Sequence, residues 1–232
     1  MDIKYKLVTQ DYKTRKGFFN EIDWSDNCWK NAIGVGGLCS SGVLHAYDSP
    51  EVALFMNPIH ARIAEPRLLE VECDKFVASD LTKVGYKKMR RIKELFFREP
   101  SVIQKVAFGI LCALQVYDEP SFVVWANSWL SGKNRVVKDA YITAHATRVT
   151  ADSYAANAAA YAAYAAAYYA ASVANADSYA ANTASYASYV ASYAANTAVY
   201  AANAAVYASY AVNTVFIKNF SLIDIALEAM QY

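Results

Sequence analysis

His45 follows a strand-like run and precedes Asp48, a setting that suits a general base or a cofactor-binding group. A histidine hydrogen-bonded at a strand end is the plainer expectation for the same residue. Cys39 lies six positions earlier, and a thiol beside an imidazole pairs a nucleophile with its base, though spacing alone does not bring the two together. Glu70 and Glu72 alternate with Leu69, Val71 and Cys73, which puts both carboxylates on one strand face. They could exchange protons, and a solvated sheet face accounts for them with fewer assumptions. Lys83, Lys87, Lys88, Arg90, Arg91, Lys93 and Arg98 bring seven positive charges into 16 residues against the single Glu94. Such a run could hold phosphates of a nucleic acid or a dinucleotide, with Lys87, Lys88, Arg90 and Arg91 at its centre.

Other chemistries lack their residues. There is no Walker A, GxGxxG or HExxH pattern, and Gly34-Val35-Gly36-Gly37 has neither the following Lys-Ser/Thr nor a βαβ context. Cys28, Cys39, Cys73 and Cys112 form no CxxC pair and only three histidines accompany them, so no metal site and no disulfide framework is expected, and the thiols are expected free and buried. The opening MDIKYKLVTQDYK carries charges every few residues and lacks the apolar stretch of a secretory signal, which points to the cytoplasm.

The elements that must position these residues are of two kinds. Up to about residue 98 the pattern is mixed α and β. Ile3 to Val8 and Arg67 to Cys73 read as strands, and Ser49-Pro50 reads as an N-cap and first helical position for a short helix through Val52, Ala53 and Phe55. Asp80 to Gly85 is turn-like, while Lys87 to Phe97 fits either period. Beyond that, Pro100-Ser101 opens a helix carrying Val102, Val106, Ile110 and Leu114. Asp118 and Pro120 start a second, with Trp125 and Trp129 four apart and a stop at Ser131-Gly132. A third runs from about Lys133 into an Ala/Tyr stretch, and Ser221 with Asp224 caps a last short helix through Met230.

Composition sets one stretch of the helical part apart. Of 232 residues with net charge +1, positions 153 to 217 hold 28 alanines, 12 of the 19 tyrosines and one acid, Asp177. Almost no Leu, Ile or Phe occurs there, and asparagines interrupt every 20-residue window, which argues against a membrane span. Tyr179, Tyr186, Tyr193, Tyr200 and Tyr207 recur every seven residues, as do Tyr154, Tyr161 and Tyr168. Ala180, Ala184, Ala187, Ala191, Ala194, Ala198, Ala201, Ala205 and Ala208 step by four and three behind them, a heptad seam of close-packing positions. The two tyrosine series differ by three heptads plus four, so the stretch is one stuttered helix or two helices joined near Asn175 to Ser178, with Asp177 as a cap. A lone rod cannot bury its seam, and an intrachain antiparallel hairpin is the favoured solution over pairing with another chain. The expected fold is an α+β domain over residues 1–98, followed by an all-α domain over 99–232 of long Ala/Tyr-packed antiparallel helices.

Several of these residues also carry a family resemblance. LCSSGVLHAYDSPEVALF, followed by PRLLEVECDKFVASDLTKVGYKKMRRIKEL, resembles an uncharacterised domain of phage and prophage proteins, at Cys39, Gly42, His45, Pro50 and Glu72. ANSWLSGK, before the alanine repeats, is similar to Ala-rich helical proteins described as putative immunity proteins, although Asn, Ser and Tyr stand here where those carry Asp and Arg. This resemblance implies an accessory protein in the immunity or counter-defence category, working in a bacterial host through a protein partner or a homo-oligomer of its Ala/Tyr helices. The first segment also faintly resembles the ADP-ribosyltransferase core, which implies NAD as cofactor and Tyr5, His45 and Glu94 as catalytic residues, with the basic run on the pyrophosphate. Nucleic-acid binding through residues 83–98 is the third expectation.

Overall fold

A computed structural model describes residues 1–149, 154–178, 183–215 and 220–232. The chain divides into two compact units, Met1–Glu99 and Pro100–Tyr232.

The first unit is built on strands β1 (Asp2–Val8), β2 (Lys13–Thr14), β3 (Ile22–Asp23), β4 (Lys30–Asn31), β5 (Leu44–Ala46), β6 (Arg67–Ser79) and β7 (Val84–Leu95), with one helix, α1 (Pro50–His60). β1 pairs antiparallel with β6, β6 with β7, and β7 with both β5 and β4. Directly after β5, Tyr47 exchanges both backbone hydrogen bonds with Tyr5 of β1, at 3.0 and 2.8 Å. The sheet therefore closes on itself in the order β1, β6, β7, β5, which removes most of its free edges. Val8, Trp24, Leu44, Ala46, Leu69, Val71, Cys73, Tyr86 and Met89 fill one core cluster. Leu7 and Leu68, paired with each other and pointing to the opposite face, are buried as well, and α1 packs against β1.

Ser49 caps α1 as expected, its side chain accepting from the Val52 amide with Pro50 behind it, but the helix extends past Phe55 to His60 and contains Pro58. The ambiguous Lys87 to Phe97 run is strand, because β7 pairs with β6 along its whole length. Two bulges interrupt that pairing, leaving Ile92 and Val77 without direct partners.

In the second unit, α2 (Val102–Leu114) begins in a reciprocal capping box. The Ser101 hydroxyl accepts from the Gln104 amide and the Gln104 side chain accepts from the Ser101 amide. Gln104 also donates to the Met230 carbonyl at 2.8 Å, tying the helix start to the C-terminal segment. Ser101→Ala is expected to destabilise this unit by about 1 kcal/mol, seen as a lower urea midpoint at unchanged slope.

α3 (Pro120–Leu130) is capped by Glu119 rather than Asp118, since a carboxylate one residue closer reaches the Phe122 amide. The next helix, α4 (Val137–Val149), starts four residues later than Lys133 because Lys133 and Asn134 close the α3 terminus by donating to the Ser128 carbonyl. α5 (Tyr154–Ser178), α6 (Thr183–Val215) and α7 (Leu222–Ala229) follow, the last capped by Ser221.

The predicted break at Asn175 to Ser178 is helical, so Asp177 lies in the last turn of α5 rather than at a helix start. Tyr179, Ala180 and Asn182 lie outside the described residues. α5 touches α4, α6 and α2, and its alanines from Ala158 through Ala167 are buried on nearly every side. Ala198, Ala201, Ala205 and Ala208 of the predicted seam are buried too. Among the described residues no helix is long and apolar enough to cross a membrane.

Candidate functional site

The residues with acid–base potential take separate hydrogen-bond partners. His45 pairs with Gly85 on β7, while Glu94, opposite Leu69, stands nine residues further along the same strand. Tyr5 pairs with Glu70 and Tyr47.

Each candidate has a local partner instead. His45 Nε2 accepts from the backbone N–H of Cys39 at 3.1 Å, so the neighbouring thiol is not what the imidazole meets. Burial, then the charges of Lys6 and Arg15, pull the His45 pKa down to about 3, which keeps the ring neutral. Glu94 accepts from the Tyr12 hydroxyl at 2.6 Å and from Arg67 at 2.8 Å, and these bonds, Tyr12 first, lower its pKa. Arg67 and Arg91 both lie over the Tyr12 ring, at 4.6 and 5.1 Å.

The basic run is divided by the strand's period of two. Arg90 faces Glu72 and Arg91 faces Val71, so successive cations point to opposite sides of the sheet. Lys87 donates to the Gly42 carbonyl, Arg90 to Glu72 with its guanidinium 5.1 Å from the Trp29 ring, and Arg91 to Asn27 at 3.1 Å. Lys93 pairs with Glu70 at 3.5 Å, and Lys88 stands opposite Asp74. The two glutamates at 70 and 72 thus serve as counter-charges on the sheet.

All four thiols are free, but Cys28 and Cys39 are exposed, against the expectation of burial, because both lie in loops outside the strands. Burial pushes the Cys73 thiol up to about 12 and Cys112 well above its usual value, so neither is a ready nucleophile.

The helical unit does assemble one continuous surface. Tyr154 meets Tyr207 and Tyr210 at 6.3 and 5.5 Å between ring centroids, and Tyr161 meets Tyr207 at 5.0 Å and Tyr200 at 5.9 Å. Tyr200 continues to Tyr164 at 5.7 Å and Tyr168 at 5.1 Å, and Tyr168 to Tyr193 at 5.5 Å. As the number rises on α5 it falls on α6, so the two helices are an antiparallel hairpin closed within one chain. Tyr141 and His145 of α4 extend the ladder onto Tyr164, at 6.0 and 6.2 Å.

From Tyr154 to Tyr168 the rings span about 21 Å of helix. Tyr141, Tyr154 and Tyr210 are exposed by 49%, 47% and 43%, and the tyrosines between them are half-buried, so the ladder is surface rather than core. A hydrogen bond with Tyr200 raises the Tyr168 pKa, with burial second, so the hydroxyls interact along the ladder while staying neutral.

No family model, curated protein or solved structure matches this chain.

The heptad count carried the ladder, since tyrosines at a shared seven-residue period on two antiparallel helices must interleave. Sequence reading missed Lys6. It stands two residues beyond Lys4 in a strand with one buried face, and that alternation was the available signal.

Proposed function

We propose that this protein is an accessory protein of the phage or prophage kind that acts by binding a protein partner, in the immunity or counter-defence category. The observation that carries this reading is the tyrosine ladder of α5 and α6, with α4 at its edge. Tyrosine gives large, rigid contact area with only two side-chain torsions to fix, and the Tyr/Ser/Asn/small-residue composition of these helices is the one that binding surfaces of antibodies favour. Interface centres are depleted in charge and enriched in aromatic residues, and the ladder has no acid or base apart from His145 at its edge. Burial of Ala198, Ala201, Ala205 and Ala208, among the described seam residues, supports an unlike partner over a second copy of the chain.

A photo-crosslinking residue placed at Tyr161 or Tyr207 of the full chain is expected to capture one host protein, and the same residue at Val124, exposed on α3, is expected to capture none. Tyr210→Glu, which puts a charge on the ladder at an exposed position, is expected to weaken that complex by about 2 kcal/mol, roughly thirtyfold. Equal capture at Val124, or a complex indifferent to Tyr210→Glu, would count against the reading. NAD turnover lost in Glu94→Ala would favour the enzyme instead.

A further inference from the structure

We propose that the pocket between β1, the β2/β3 hairpin and residues 32–45 is a binding site for a small oxyanion, a phosphoryl or carboxylate group, held by Lys6 and Arg15. The site is separate from the tyrosine ladder and belongs to the other unit.

The cavity has a volume of about 50 Å³ and is lined by Lys6, Thr14, Arg15, Asn20, Ser41 and His45 among its residues. A single water needs about 10–15 Å³ on the same measure, so a few heavy atoms fit. None of the lining residues is acidic. Lys6 is 7% exposed, and of its three N–H donors one goes to the His45 carbonyl at 2.5 Å, while its ammonium sits 4.8 Å from the Trp24 ring centroid. No carboxylate pairs with Lys6 or Arg15 among the described residues.

A buried ammonium without a counter-charge is unfavourable, and proteins ordinarily supply the missing charge from a side chain or a ligand. Here no side chain supplies it. Neutral groups are placed to complete an oxyanion's shell. The Thr14 Oγ1 accepts from Trp24 Nε1 at 2.9 Å, which leaves its own O–H to donate, and Asn20 is 6% exposed at the wall. The local field agrees with this arrangement. Burial, with Arg15 adding to it, brings Lys6 down to about 8, and Lys6 and Arg15 add to the burial that keeps His45 neutral. A neutral imidazole does not compete with the two cations for the ligand.

Calorimetric titration of the full chain at pH 7 and constant ionic strength, with inorganic phosphate and with acetate, tests the assignment. At least one ion is expected to bind saturably with one-to-one stoichiometry. Lys6→Met and Arg15→Ala are each expected to weaken that binding roughly tenfold to a hundredfold, the usual effect of losing a charge-assisted hydrogen bond. Lys133→Ala, at an exposed cation of the helical unit, is expected to leave it unchanged. Arg15 is exposed, so its variant decides the matter even if Lys6→Met folds poorly. Binding of phosphate alone identifies a phosphoryl ligand and binding of acetate alone a carboxylate. Saturation by neither ion, or binding that survives both substitutions, overturns the proposal.

Discussion

Gly109→Leu is expected to lower the stability of the helical unit by about 3 kcal/mol, the upper part of the usual range for forcing extra atoms into a packed core. Gly109 sits in the middle of α2, and a Cβ built there would lie 3.0 Å from the Cα of Ala201 and 3.3 Å from its Cβ and carbonyl oxygen on α6. Those are mostly backbone atoms, and no rotamer change can move them aside. The cost arises because α2 and α6 approach closely at this crossing, which small residues on both helices permit. Gly109→Ala has a different balance. The gain of about 1 kcal/mol in helix propensity opposes a shift of a few tenths of an ångström, so the variant is expected to fall within about 1 kcal/mol of wild type. Thermal unfolding followed by circular dichroism at 222 nm checks both, with a fall of roughly 10 °C for leucine. As a control, Gly37→Ala meets open space and is expected to leave the melt unchanged.

Lys6→Met is expected to stabilise the first unit at pH 7 in buffer free of phosphate and carboxylates, by on the order of 2 kcal/mol. The direction follows from the pKa. In the native state Lys6 is brought down to about 8 from 10.5, with burial as the main cause. Below pH 8 the ammonium is charged in both folded and unfolded chains, and the native state carries the full burial penalty, on the order of 3 kcal/mol. Between about pH 8 and 10.5 the unfolded chain binds the proton that the native state has released, so wild-type stability rises relative to the variant. Methionine removes the penalty, although the His45 carbonyl then loses its ammonium donor, which offsets part of the gain. Urea melts at pH 7 and pH 10 are expected to show the gap between the two proteins closing at the higher pH. A variant less stable than wild type at pH 7, or a gap that does not change with pH, would contradict this account. Taken with the proposed oxyanion site, the prediction implies that wild type keeps a costly buried cation that a ligand can neutralise.

Much of the helical unit was legible in the residues. Ser101, Pro120, Ser221 and the Gly132 stop mark their helix ends through local chemistry that needs no knowledge of the fold. The heptads of tyrosine and alanine required an antiparallel partner and favoured a hairpin within the chain, while the register came from the tyrosine pairing in the structure. The end of α5 was less legible, because Asn, Asp and Ser are tolerated in a last helical turn as well as at a cap. In the first unit, Ile3 to Val8 and Arg67 to Cys73 declared themselves by alternation. The basic run did not, since Lys and Arg at five of the twelve positions of β7, mostly in adjacent pairs, leave no clear apolar period to read, and only pairing with β6 made it a strand.

The sequence alone therefore determined the two-part organisation, the caps at Ser49, Ser101 and Ser221, and a tyrosine-flanked alanine seam that required an antiparallel partner. These follow from short-range spacing, which repeats every two, three and a half or seven residues whatever the rest of the chain does. Tertiary structure alone decided which side chains meet. Tyr47 closes the sheet on Tyr5, Glu94 is drawn to Tyr12 and Arg67 while His45 accepts from the Cys39 amide, and Lys6 and Arg15 come to line one pocket without an acid. Such encounters depend on strand register and ring closure between segments tens of residues apart, and a one-residue slip would exchange every inward side chain for its outward neighbour.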